Sequence, residues 1–265
     1  MTAVPDQWAA ASSYDNFMGR WSRSLAPEFV SWLQIPRRKH WLDVGCGTGA
    51  LTNAVCNYAD PASIVGCDPA APFVEFAQEH SLDVRQSFAV AGVGNLPPRT
   101  GGYGSVTSLF ALNFFPDPEG AIHEMLSLAA PRATLSACVW DYSDGMLFLR
   151  HFWDAALSQD STASALDEGT RFPLCHRHAL ITLFHKSGLD EVRCEPIEIN
   201  TKFANFEDYW KPFLGGTGPA PSYVASLHPD LRTALEQSLK EKLPAATDGT
   251  IALTARAWAI RGMVN

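Results

Sequence analysis

The stretch Trp41-Leu42-Asp43-Val44-Gly45-Cys46-Gly47-Thr48-Gly49-Ala50 sets an acid two residues before three closely spaced glycines. His40 to Val44 reads as a strand leaving the core, Gly45 to Gly49 as a turn where backbone approaches a ligand, and Ala50 onward as a helix. This is chemistry for a nucleotide-like ligand. A dinucleotide site begins the same way, and Gly45-x-Gly47-x-x-Ala50 satisfies its loose form, so spacing alone leaves both open.

Asp43 separates them on charge. A pyrophosphate over the turn would face this carboxylate and be repelled, which argues against a nicotinamide oxidoreductase. S-adenosylmethionine carries no phosphate; its ammonium and sulfonium are attracted to the acid, and the N–H groups of Gly45, Cys46 and Gly47 are expected to take its carboxylate. Ala62 to Asp68 reads as the next strand, and Asp68, followed by Pro69, offers two oxygens to a ribose diol.

With these two strand ends the chain resembles class I S-adenosylmethionine-dependent methyltransferases, in particular the small-molecule type 11 group related to quinone-biosynthesis enzymes. The resemblance also takes in Tyr14-Asp15-x-Phe17-Met18-Gly19-Arg20-Trp21-Ser22, Asn95-Leu96-Pro97, Phe110-Ala111-Leu112-Asn113-Phe114-x-Pro116-Asp117-Pro118 and Val139-Trp140-Asp141. It implies S-adenosyl-L-methionine as cofactor, and a segment carrying Tyr14, Met18 and Trp21 that closes over it, with Arg20 a partner for its carboxylate. Leu109 and Phe110 would line the cofactor at the end of the fourth strand, and Trp140 with Asp141 the acceptor at the end of the fifth.

The chain departs from that family at three places. Ala91-Gly92-Val93 stands where the family commonly has Gly-Asp-Ala. The acid that would bind the adenine amino group is missing, leaving a backbone N–H at Val93 and about 1 kcal/mol less support. Tyr103-Gly104 replaces Phe-Asp before the fourth strand, and Ala130-Pro131-Arg132-Ala133 replaces the Arg-Pro-Gly-Gly turn before the fifth.

Methyl transfer from a sulfonium is an in-line displacement whose rate comes largely from alignment and exclusion of water. A base matters only when the nucleophile arrives protonated. Asn113 stands where the family often has His; an amide orients a substrate but takes no proton. His151, within Phe148-Leu149-Arg150-His151-Phe152-Trp153, and Tyr14 are the other catalytic candidates. The double proline of amide-nitrogen methyltransferases, a catalytic-cysteine loop and the strand-end acid of metal-dependent catechol enzymes are all absent, which points to a metal-independent reaction on an O, N, S or activated C acceptor.

These residues require positioning elements. A helix from about Tyr14 to Leu33 repeats Tyr14, Met18, Trp21, Leu25, Phe29 and Trp32 on one face. Strands near 40–44, 63–67, 83–88, 104–109 and 134–140 alternate with helices, and 191–199 and 251–261 add two more. The expectation is an α/β fold: a doubly wound, mostly parallel seven-stranded Rossmann-like sheet with an antiparallel C-terminal strand and a small helical cap. Asp43, Asp68, Val93, Leu109 and Trp140 then fall on the carboxyl edge of the strands. One domain spans 1–265, with a lid over 1–35 and a cap over 203–249 that brings Trp210 and Phe213 to the acceptor.

The 265 residues and 46% hydrophobic content suit a sizeable core. A net charge of −8 without a Lys/Arg cluster argues against nucleic acid. Neither a membrane-spanning run nor a basic-then-apolar leader is evident, so a cytoplasmic protein acting on a small molecule is expected. The six cysteines are spaced singly and read as small buried hydrophobes rather than disulfides or metal ligands. Cys175-His176-x-His178 reads as the opening of a helix. The expected function is methyl transfer to a small, partly apolar metabolite; the alternative keeps the bound cofactor but uses it in a cyclisation or elimination.

Overall fold

A computed structural model describes residues 15–215 and 218–265. Tyr14 lies outside the described residues. Seven strands, β1 (His40–Val44), β2 (Ser63–Asp68), β3 (Gln86–Val90), β4 (Tyr103–Leu109), β5 (Ala129–Trp140), β6 (Asp190–Phe203) and β7 (Ile251–Met263), form one sheet in the order β3-β2-β1-β4-β5-β7-β6. β3, β2, β1, β4 and β5 run parallel, and the C-terminal strands are antiparallel. The Rossmann-like α/β expectation holds. Its physical cause lies in β1, β2 and β4, whose runs of apolar and small residues are buried on both faces, as parallel strands covered by helices must be.

The chain divides into two compact units. The larger comprises 19–139, 174–197 and 257–265. Here α1 (Arg20–Leu33), α2 (Ala50–Tyr58), α3 (Ala71–Glu79) and α4 (Pro118–Ser127) alternate with β1 to β5. α1 buries Trp21, Leu25, Phe29 and Leu33; Trp32, expected on that face, is half-buried, stacked on Phe29 with its indole N–H donated to Glu195. The expected helix is also not uniform. Asp15–Gly19 is a π-helix, whose wider turn shifts the phase of side chains just ahead of α1. β3 starts three residues later than its sequence suggests, because Asp83 caps a turn by accepting from the Arg85 backbone N–H and guanidinium.

Of the described residues, the smaller unit comprises 15–18, 140–173, 198–215 and 218–256, including α5 (Leu147–Gln159), α6 (Glu168–Arg171), α8 (Phe206–Trp210), α9 (Pro219–Ser226) and α10 (Pro229–Lys242); α7 (Arg177–Lys186), which His176 precedes, belongs to the larger one. Its core is aromatic. Phe152 stacks on Phe213 at 4.6 Å, Phe17 meets Phe213 edge-on at 5.3 Å, and the Tyr209 hydroxyl donates to the Phe148 carbonyl at 2.8 Å. The buried Glu168 carboxylate accepts from the Trp153 indole N–H; burial pushes its pKa up to about 7.

All six cysteines are free and buried. No helix among the described residues is long and apolar enough to cross a membrane.

Within the smaller unit Asp141 is 2% exposed and accepts from Arg256 at 2.8 Å (Nε) and 2.6 Å (NH2), from the Ser143 hydroxyl at 3.0 Å and from the Asp144 N–H. Removing the cation leaves a buried carboxylate without its counter-charge. Arg256→Met is predicted to destabilise the protein by about 3 kcal/mol, and pairing it with Asp141→Asn to restore part of that loss, as read by urea unfolding; equal stability of wild type and Arg256→Met would contradict this.

Candidate functional site

β1 ends at Val44, β2 at Asp68 and β4 at Leu109, so the polar residues that follow share one edge of the larger unit. The turn between β1 and α2 is left-handed at Gly45 (φ 75°), Gly47 (φ 52°) and Gly49 (φ 84°), a region side chains disfavour. Space distinguishes the glycines. A Cβ on Gly45 would overlap the Ala111 Cβ, whereas one on Gly47 meets nothing within 4 Å. Gly45 thus serves close packing of two loops, and Gly47 presents bare backbone to open space.

The turn's N–H groups do not behave as expected. Gly45 and Cys46 both donate to the Cys67 carbonyl (2.8 and 2.9 Å), Gly47 to Asp68 Oδ2 (3.0 Å) and Gly49 to the Cys46 carbonyl (2.9 Å). These four bonds tie the turn to the end of β2 and to itself, so the N–H groups of Gly45, Cys46 and Gly47 are already engaged within the protein. The Cys46 thiol is buried and lies against the Gly47 carbonyl.

Asp43 lies fully buried beneath this turn. Its Oδ2 accepts from the Thr52 hydroxyl at 2.8 Å, while Oδ1 is buried with no partner. Burial raises its pKa to about 7, the Thr52 bond opposing and the Asp68 charge adding to the rise. Asp68 is 8% exposed and accepts from the Gly47 and Ala70 N–H groups, one on each oxygen; burial raises its pKa too, against those two bonds. Each of its oxygens retains a lone pair for a hydroxyl donor.

The loop after β3, expected to face an adenine, is held from an unexpected quarter. Glu124 on α4 accepts from the Gly94 N–H at 2.5 Å and the Leu96 N–H at 3.0 Å, while Gly92 packs on Pro69 and Val93 is exposed. Neither Glu124 nor Thr52 carried a sequence signal, because each acts through tertiary contact rather than motif spacing. Phe110 adopts φ 61° just after β4, and its N–H donates to the Cys138 carbonyl, fixing the strand end before Asn113. Asn113, in a single 3₁₀ turn over Leu112–Phe114, is 9% exposed; its amide nitrogen and oxygen are both buried without a partner. Such an amide is costly unless a ligand completes it.

At the start of α1 the Arg20 guanidinium lies 4.3 Å over the Trp21 ring, which is buried. Met18, in the smaller unit, is buried too. The other acceptor-side candidates, Trp140, Asp141, His151, Trp210 and Phe213, belong to that unit as well. There Trp210 and Phe213 are 3% and 1% exposed within the aromatic core, and Asp141 has its oxygens engaged. His151 is half-buried, and burial lowers its pKa against the charge of Asp154.

Comparison with known proteins agrees with this geometry. Residues 42–132, which hold Asp43, the glycine turn, Asp68 and Asn113, match the family model described as a methyltransferase domain. The chain is 26% identical over 197 residues to malonyl-[acyl-carrier protein] O-methyltransferase of Hahella chejuensis, covering 70% of this chain and 68% of that protein. It is 32% identical over 111 residues to the ubiquinone biosynthesis O-methyltransferase of Xanthomonas axonopodis pv. citri, covering 41% and 46% respectively. Among solved structures, Haemonchus contortus phosphoethanolamine N-methyltransferase 2 with S-adenosyl-L-methionine superposes with a TM-score of 0.56 at 13% identity, over 96% of this chain and 56% of that one. Residues 42–132 thus carry a methyltransferase domain, and the relatives that the chain resembles along its sequence are named methyltransferases.

The two glycines are predicted to fail differently. Gly45→Ala meets both strain and overlap, and is expected to cost about 3 kcal/mol. Gly47→Ala meets only strain, about 1 kcal/mol, and is expected to keep the fold while weakening cofactor binding. Thermal unfolding and calorimetry on the pair separate the two roles; a Gly47→Ala protein that binds like wild type would contradict the assignment.

Proposed function

We propose that the protein transfers the methyl group of S-adenosylmethionine to a small, partly apolar acceptor, without a metal ion, by in-line displacement. The observation that carries this reading is the Asp43 carboxylate, buried beneath the glycine turn with Oδ1 unpartnered. A buried acid of this kind is stabilised by a cation and penalised by a phosphate. The residues present fit the cofactor: Asp68 holds the ribose hydroxyls, the open face of Gly47 admits close approach, Val93 with Pro69 borders the adenine, and Leu109 with Phe110 lines the strand end. When bound, the cofactor supplies an electrophilic methyl group activated by a positive sulfur.

The protein's part is then orientation. The Asn113 amide has one acceptor and two donor hydrogens to offer, and neither end is used within the protein. It fixes the acceptor's polar group without removing a proton. This suits a nucleophile that is anionic or carries a free lone pair at neutral pH, and leaves proton removal to another group or to solvent. Asn113→Ala is expected to lower kcat/KM at least about tenfold while leaving S-adenosylhomocysteine binding within about twofold; a matching loss of cofactor affinity would move Asn113 to the cofactor instead.

Calorimetry with S-adenosylhomocysteine tests the cofactor itself. Binding is expected, weakened at least about tenfold in Asp68→Ala; no binding, or unchanged binding in the variant, overturns the reading. The pH dependence follows from Asp43. Its folded pKa, about 7, lies above the ordinary 3.8. Across that window the folded protein holds a proton that the unfolded chain has lost, so this group's contribution to stability declines as pH rises and its full cost is borne above about 7. A cationic ligand offsets that cost, so affinity is predicted to rise from about pH 6 to about pH 7.5 with proton release. Asp43→Asn is expected to bind more weakly and to flatten the slope.

A further inference from the structure

At the amino ends of the strands the larger unit holds a second concavity, a cavity of about 470 Å³ lined in part by Lys39, Arg132, Arg193, Arg261, Glu191 and Leu33. Four cations and one acid line it, in a chain whose net charge is −8. They come from four separate segments: the residue before β1, the start of β5, the start of β6 and the end of β7. In sequence only Lys39 belongs to a basic run, Arg37-Arg38-Lys39; folding brings the other three cations to it. Arg261 is anchored, its guanidinium donating to the Leu33 carbonyl and lying 5.6 Å over the Trp32 ring. Lys39, Arg132 and Arg193 pair with no carboxylate among the described residues.

Arg132 is the informative member. It sits at φ 58°, in the left-handed region that favours glycine. Glu191 (φ 49°) on the same rim is left-handed as well, whereas Gln34 (φ 50°) is the left-handed cap that ends α1. Non-glycine residues are strained in this region, and strain of this kind gathers at ligand sites. An arginine kept at a left-handed position delivers a guanidinium that glycine would not. Gathered cations repel one another until an anion enters, and guanidinium forks match phosphoryl oxygens in pairs.

We propose that this cleft binds a small phosphorylated metabolite carrying a pyrophosphoryl group. The charge fits: four cations less Glu191 balance a di- or trianion. Its volume lies within the range of small-molecule pockets and exceeds what inorganic phosphate fills, and the part-exposed Ile35 and Met263 offer apolar surface to an organic portion.

Calorimetry on the full chain, saturated with S-adenosylhomocysteine so that an adenosine cannot enter the cofactor edge, uses inorganic pyrophosphate and ATP as probes against sodium chloride of equal ionic strength. Both are expected to bind, ATP the tighter. Pyrophosphate binding as tightly as ATP leaves the site but removes the organic portion from the proposal. Arg132→Gly suits the backbone at φ 58° and is expected to fold with no loss of thermal stability, yet to bind either probe about tenfold more weakly. Arg193→Glu is expected to weaken binding further. Failure of both probes to bind the wild type at millimolar concentration, or equal binding in both variants, overturns the proposal; neither outcome touches the cofactor reading, which rests on Asp43 and Asp68.

Discussion

The site depends on a carboxylate that the fold keeps from water. Asp43 occupies a strand end with neighbours on both sides: it pairs in register with Gly66 of β2 and Thr107 of β4. One hydrogen bond, from Thr52, meets one of its oxygens. A carboxylate so placed costs several kcal/mol when ionised and unpaired, and Asp68 nearby raises that cost. The architecture around it follows. The glycine turn commits the N–H groups of Gly45, Cys46, Gly47 and Gly49 to the end of β2 and to itself, and Gly45 lets the Ala111 loop pack against that turn. A buried acid left incompletely bonded favours a cation over a phosphate, whatever glycine spacing the turn shares with dinucleotide sites.

The two compact units divide the chemical labour. The larger one carries Asp43 and Asp68 on strand ends and Arg20 at the start of α1. The smaller one carries an aromatic core in which Phe152, Phe213 and Phe17 pack ring on ring. Rings stacked this way contribute through area and geometry, so Trp210 and Phe213 support the shape of that unit rather than offering free faces. The acidic residues there follow the same logic: Asp141 holds Arg256, and Asp167 holds Arg150 while accepting from the Gly169 N–H. Selectivity for an acceptor therefore has to come from few polar groups. In the larger unit the Asn113 side chain has both its amide nitrogen and its oxygen buried without a partner.

The sequence made the sheet and the cofactor edge legible, because both are written in local patterns. Alternating apolar strands, an acid at a strand end and glycines after it are features of neighbouring residues, and β1, β2 and β4 lie within a residue of their expected bounds. What it hid was tertiary. Glu124 reaches back across the sequence to hold the loop at Gly94 and Leu96, and Asp141 finds Arg256 from 115 positions away. Both are ordinary charged residues until folding brings them together. Trp210 and Phe213 show the converse: an aromatic stretch ahead of a Gly/Pro-rich loop has the same sequence pattern whether its rings face a pocket or each other. The π-helix at Asp15–Gly19 was hidden for another reason, since a single widened turn leaves the apolar repeat almost intact.

The opposite charges on the two edges of the parallel strands have a consequence for how the edges communicate. Lys39 precedes β1 and Asp43 lies near its end, four residues on, or about 13 Å along an extended strand. That exceeds the screening length of about 8 Å at physiological salt for groups in contact with water, and Lys39, Arg132 and Arg193 are exposed. Asp43 is buried and less screened, yet the cations would stabilise its ionised form only weakly at this range, leaving the local cation as the decisive partner. Mechanical coupling is no easier. β1 and β4 are packed on both faces, and close-packed strands do not slide by fractions of a residue without losing their register. An anion in the basic cleft and a cation at the acidic edge are thus held by the same strands but governed by separate local fields, so occupancy of one edge is transmitted to the other only if β5 or β7, whose ends frame Arg132 and Arg261, changes its pairing.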